Sequence, residues 1–226
     1  MTDDELYEAL TRYISPHKRE LFDRLAPLRT RHLTVVLEDI YQPHNASAVV
    51  RTCDLVGVQD MHVIENRNAY TLNPEVSLGA SKWVDIHRYR KDADNTTSCI
   101  EGLRARGYRI IVTSPHGTSD TPSTLDLSSP VAICFGTELT GASDTLMRLA
   151  DGTLRIPMYG FTESFNISVS AALVLYTLSE RMRMLDPHAH CLDADAVRAL
   201  KLAWARKQLR DAPLIEERLR AGTLDG

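Results

Sequence analysis

Three short stretches gather the residue types that can do chemistry: Tyr41-Gln-Pro-His-Asn45, Gly136-Thr-Glu138-Leu-Thr-Gly141, and Ile156-Pro-Met-Tyr-Gly160 running on to Ser164-Phe-Asn166-Ile-Ser168. A lone arginine, Arg51, follows six residues after Asn45 in a stretch that is otherwise largely apolar. A guanidinium stays charged at neutral pH and presents donors in a rigid fork suited to phosphate or carboxylate. Gly136 and Gly141 permit a tight turn and close approach of a ligand to the backbone. The second stretch is not a phosphate loop, because it has no G-K-[ST] ending and an acid, Glu138, sits at its centre. No G-x-G-x-x-G follows the first strand, which weighs against a dinucleotide site.

Each residue also has a plainer reading. Asn45 can be a helix N-cap, Ser164 and Asn166 caps of a later helix, and Glu138 a turn residue capping Ala142 or Ser143. On a helix His44, Ser47, Arg51 and Asp54 fall within roughly 40° of one another, opposite much of the apolar stripe. Arg51 is therefore outside the core, either paired with Asp54 three residues on or aimed into a crevice.

The elements that must position these residues alternate. LTVVLED (33–39) reads as a buried strand, and from Asn45 a helix places Ala46, Val49, Val50, Cys53 and Val56 on one face, with Gly57 as its stop. Strands are expected at Met61 to Glu65, Trp83 to Tyr89, Arg109 to Ser114, Pro130 to Gly136 and Leu154 to Met158. Helices are expected at 3–25 with a break before Pro16, at Asn95 to Arg106, Ser143 to Ala150, Asn166 to Leu185 and Asp193 to Asp211, and His116 to Pro130 reads as a loop. Apolar strands alternating with helices call for an α/β fold, a mostly parallel sheet with helices on both faces, and helical extensions at both ends. In such sheets ligands bind beyond the carboxyl ends of the strands, where the three stretches fall.

The bulk numbers set limits. The 226 residues are 43% hydrophobic and 25% charged, as in an ordinary globular chain. No apolar run reaches the roughly 20 residues that span a bilayer, and MTDDELYEAL lacks signal-peptide features, so no membrane and a cytoplasmic location are expected. Cys53, Cys99, Cys134 and Cys191 are widely spaced with no C-x-x-C, so no metal site and no disulfide framework is expected. The formal net charge is -4, yet Arg12 to His32 holds six basic against two acidic residues and Arg198 to Arg220 seven against three. Each end thus carries +4 and the remainder -12. Such clusters are either solvated helix faces or the footprint of a polyanion.

Taken in order, HNASAVVRTCDLVGV, FGTELTG and IPMYGFTESFNISVSAALVLY resemble the three motifs of the SPOUT methyltransferases, in their 2'-O-ribose branch, over about Leu33 to Glu180. PHKRE, SLGASKW and the helical tail are similar to the TrmH-like tRNA guanosine-2'-O-methyltransferases. Phe165, Ile167 and Ser170 depart from the usual leucine, valine and alanine, a change of packing more than of chemistry. The resemblance implies a carboxyl-terminal trefoil knot and a homodimer, with a helical extension at 1–31, the methyltransferase domain at 32–185 and a second extension at 186–226. It implies S-adenosyl-L-methionine held by Thr113, Gly136, Gly141, Ile156, Met158 and Phe165, and Asn45, Arg51, Glu138, Ser164 and Asn166 as catalytic residues, Glu138 holding the arginine fork. The implied substrate is tRNA, at the D-loop guanosine in position 18, with Lys18, Arg19, His44, Arg51, Lys201 and Lys207 toward RNA. Another tRNA or ribosomal RNA nucleotide, or a knotted RNA-binding module without turnover, are the alternatives.

Overall fold

Six strands form one sheet: β1 (Leu33–Glu38), β2 (Asp60–Ile64), β3 (Asp85–Tyr89), β4 (Arg109–Thr113), β5 (Val131–Phe135) and β6 (Gly152–Leu154), in the order β3-β2-β1-β5-β4-β6. Every pairing is parallel. The computed structural model describes residues 1–115, 120–186 and 188–222. The helices are α1 (Asp3–Thr11), α2 (Pro16–Leu25), α3 (Pro43–Val56), α4 (Pro74–Ser77), α5 (Asn95–Ala105), α6 (Asp144–Leu149), α7 (Ile167–Leu185), α8 (Ala194–Gln208) and α9 (Ala212–Arg220).

Two compact units arise, Thr30–His190 and a second made of Met1–Arg29 with Cys191–Gly226. In the first, strand alternation divides the core. Leu33, Val35, Leu37, Ile133 and Phe135 meet the apolar faces of α3 and α7, while Val36, Ile64, Val112 and Cys134 meet α5 and α6. All five residues expected on the apolar face of α3 are buried. In the second unit Leu6, Leu10, Phe22, Leu200 and Trp204 are buried, and the Phe22 and Trp204 rings lie 5.6 Å apart.

Four expectations change. The strand expected through Met158 stops at Leu154: Arg155 donates its N–H to Asp120 O at 2.8 Å, and Pro157 has no N–H to extend the ladder. The α3 helix starts at Pro43 rather than after Asn45, because proline is pre-set for the first helical turn, so Asn45 is not its cap. Ser47 shares the helix surface with Arg51 yet is fully buried, since Asn73 N–H donates to its Oγ at 2.7 Å just before α4. The helix expected to run to Asp211 ends at Gln208, and α9 begins again with Pro213 in its first turn. Of the expected loop at 116–130, residues 116–119 lie outside the described residues.

One buried group makes stability depend on pH. His62, on β2, is 1% exposed, stacks on His87 at 4.6 Å between ring centroids, and contacts Tyr89 Oη at 3.1 Å. Burial, then the charges of His87 and Arg106, lower its pKa to about 3. The folded form therefore refuses a proton that the unfolded chain accepts below about 6.5. Folding stability is expected to fall as pH drops from about 6.5 toward 3, with a slope from this group of at most about 1.4 kcal/mol per unit. Urea unfolding of wild type and His62→Gln across that range checks this. An equally steep loss in the variant contradicts it.

Candidate active site

The loops after β4, β5 and β6 close around a cavity of about 540 Å³, within the range of small-molecule sites. Thr113, Gly136, Gly141, Ile156, Met158 and Phe165 all line it, joined by Glu138, Ser164 and Asn166. The walls are apolar at Phe135, Met147 and Leu154, with polar groups from the 136–141 loop and the start of α7. Thr113 Oγ1 donates to Cys134 O at 3.1 Å. Cys134 itself lies in the core beside α5 and α6, and burial holds its thiol well above the ordinary range, so it is not a nucleophile.

Glycine is required twice in this lining. A Cβ built on Gly136 collides with backbone atoms of Gly141 and Ala142, and Gly141 itself sits at φ 72. The turn between them closes by Thr137 and Gly141 exchanging N–H···O bonds of 2.9 and 3.1 Å.

Three distant residues meet at the edge of the cavity. Asn45 Nδ2 donates to Glu138 Oε1 at 3.1 Å, and Asn166 Nδ2 donates to Asn45 Oδ1 at 3.2 Å. Asn45 is 3% exposed, and Gln42 Oε1 accepts from the same Nδ2 at 3.3 Å. Asn166 does cap α7, its Oδ1 accepting from Ser168 N at 2.9 Å. The cap and the cluster are both satisfied because the amide uses oxygen for one and nitrogen for the other.

Arg51 does not join them within one chain. It is exposed on α3, outside the cavity lining, and has no hydrogen bond or ion pair among the described residues, including none with Asp54. Nor does Glu138 hold its fork, since the carboxylate is occupied by Asn45 and by Tyr41 N–H at 3.4 Å. His44 is exposed near the helix start. In the helical unit Arg19 is bidentate on Glu8, at 2.6 and 2.7 Å, and Lys201 pairs with Asp23 and lies over the Tyr7 ring. Arg12, Arg24 and Arg210 there are exposed without such partners among the described residues. No residues among those described form a cluster of His, Cys, Asp or Glu able to hold a metal, and no helix among them is long and apolar enough to cross a membrane.

Sequence reading missed Tyr41 and Gln42 as partners of the cluster, Ser170 and Met147 in the lining, and Glu38 beneath the 136–141 loop. Of these only Glu38 left a signal: a charged residue ending a strand that is otherwise buried and apolar.

A parallel sheet whose last three carboxyl-end loops wall one cavity is the layout of a family of RNA-modifying methylases. Residues 32–176 match the SpoU rRNA Methylase family, and the chain belongs to it. It is 40% identical over 218 residues to the tRNA (guanosine(18)-2'-O)-methyltransferase of Borreliella burgdorferi, covering 96% of this chain and 98% of that one. Among solved structures, the A. aeolicus TrmH/SpoU tRNA modifying enzyme superposes with a TM-score of 0.76 at 26% identity, over 85% of this chain and 97% of that one. The SpoU methyltransferase AviRb from Streptomyces viridochromogenes, solved with the cofactor AdoMet, shares the fold with a TM-score of 0.56 at 23% identity, over 70% and 60% of the two chains.

Proposed function

We propose that this protein is an S-adenosylmethionine-dependent 2'-O-methyltransferase acting on the D-loop guanosine at position 18 of tRNA, as a cytoplasmic homodimer with a trefoil knot at the carboxyl-terminal part of its sheet. The observation that carries the reading is the Glu138–Asn45–Asn166 cluster at the rim of a cavity built by three loops. The substrate follows a relative aligned over nearly the full length of both chains. The cavity fits the donor: apolar walls accept an adenine ring, and the backbone of the 136–141 loop along its lining offers groups to its edge. When bound, S-adenosylmethionine supplies an electrophilic methyl group.

This chain's own residues then position the acceptor. Asn166, exposed at the rim, holds the ribose there, and the buried Asn45, whose amide Glu138 fixes so that it cannot flip, orients Asn166. Arg51 remains cationic, grips the phosphate beside the ribose and stabilises negative charge as it develops on the 2'-oxygen, while that phosphate or a water takes the proton. Because Arg51 lies outside its own chain's cavity, it serves the cavity of a second copy. The apolar residues left exposed along one side of α7, Val169, Leu173 and Tyr176, supply a surface for that pairing.

Incubating the protein with methyl-labelled donor and unmodified tRNA, then mapping the label, tests the proposal. Label confined to guanosine 18 supports it, and label at another nucleotide, or none on the tRNA at all, removes the assignment. Binding of tRNA is expected to weaken steeply with salt, because exposed cations such as Arg12, Arg24, Arg210 and Arg51 release counterions from phosphates. A flat dependence between about 50 and 200 mM salt contradicts phosphate contact by these groups.

A further inference from the structure

We infer that Glu38 is a positioning residue for the cofactor cavity: its buried carboxylate holds the far end of the 136–141 loop in the closed form that binding requires. The inference rests on the proposed use of S-adenosylmethionine. Glu38 ends β1 and is 1% exposed, one residue past the Leu37↔Phe135 pair that delivers β5 to Gly136. A carboxylate so buried needs donors, and it has three. Thr96 Oγ1 donates to Oε1 at 2.7 Å, Ser143 Oγ to Oε1 at 2.7 Å, and Ser143 N–H to Oε2 at 2.8 Å.

Ser143 is the point through which Glu38 reaches the cavity. It follows Gly141 and Ala142 directly, the two residues whose backbone presses on Gly136, so fixing Ser143 fixes that contact. Its hydroxyl also accepts from Leu146 N at 3.1 Å as the cap of α6, which leaves its hydrogen for Glu38. The hydroxyl is thereby oriented at both ends. On the other side Thr96 Oγ1 accepts from Asn66 Nδ2 at 2.9 Å and ties the same carboxylate to α5, away from the cavity. All three groups facing Glu38 donate, so an acceptor-only carboxylate satisfies them and a carboxamide does not.

The two sides give separable outcomes. Titration calorimetry with S-adenosylmethionine and thermal unfolding are measured on wild type, Glu38→Gln, Ser143→Ala and Thr96→Val. Glu38→Gln is expected to bind the cofactor about tenfold more weakly, as is usual when hydrogen bonds to a charged group are lost. Ser143→Ala, which keeps the N–H bond to Glu38 and loses only the hydroxyl one, shifts affinity in the same direction by less, and the two effects together fall short of their sum, since the groups they change meet in one contact. Thr96→Val lowers the unfolding temperature but leaves cofactor affinity unchanged. Glu38→Gln binding as wild type does, or Thr96→Val weakening the cofactor as much as Ser143→Ala, overturns the inference in favour of general stability. A wild-type protein that takes up no S-adenosylmethionine overturns the proposed function and this inference with it. Where Glu38→Gln does not fold, Ser143→Ala against Thr96→Val decides alone.

Discussion

Replacing Arg51 with lysine is expected to lower single-turnover methyl transfer by about 10²- to 10³-fold while cofactor affinity stays within about twofold of wild type, the signature of a charge-stabilising group lost from the transition state. Lysine keeps the charge but not the planar fork that grips a phosphate. The side chain is exposed and has no ion pair among the described residues, so its replacement has no packing cost to confuse the result. The same residue tests the pairing of chains. If Arg51 serves the partner's cavity, mixing inactive Arg51→Ala and Asn166→Ala proteins yields mixed dimers in which one of the two sites is intact. After exchange of subunits, about one quarter of wild-type activity returns, given random pairing of two equal populations. No recovery in verified mixed dimers places Arg51 elsewhere.

The other large effect is expected at Gly136. Alanine there would drive its methyl group into the backbone of Gly141 and Ala142, and backbone, unlike the tip of a side chain, cannot swing away. The 136–141 loop must open, so S-adenosylmethionine binding is expected to fall by about a hundredfold or more, with about 1–3 kcal/mol of stability lost to overpacking. Gly160 is the matched control: a Cβ there meets nothing within 4 Å, and Gly160→Ala should bind and melt like wild type. Calorimetry and thermal unfolding of both variants suffice. Equal binding by Gly136→Ala would show that the loop is not part of the cofactor site.

Much of this was legible in the residues. Apolar, β-branched runs such as LTVVLE and VAICF predict buried parallel strands, and both are buried at every position. Spacing placed Arg51 off the core face of α3, because helical periodicity carries direction as well as content. The motifs pointed to six residues that are among those lining the cavity. What they could not give were contacts between side chains 93 and 121 residues apart, the bonds Asn45–Glu138 and Asn166–Asn45. Those depend on the order β3-β2-β1-β5-β4-β6, which no local pattern encodes. The misread cap has a local cause: Gln-Pro-His-Asn offered two start signals, and proline, which fixes φ, won over asparagine's hydrogen bond. Basic clusters at the ends were visible, but Glu8 and Asp23 neutralise Arg19 and Lys201 through folding of the helical unit, which charge counting does not see.

Arg51 and the Asn45–Glu138–Asn166 cluster are proposed to act together on a ribose hydroxyl. The most direct test compares unmodified tRNA with the same tRNA carrying 2'-deoxyguanosine at position 18, each given labelled donor in a single turnover. One methyl group is expected on the first and none on the second. Equal labelling of both, or label recovered on a base, would contradict it.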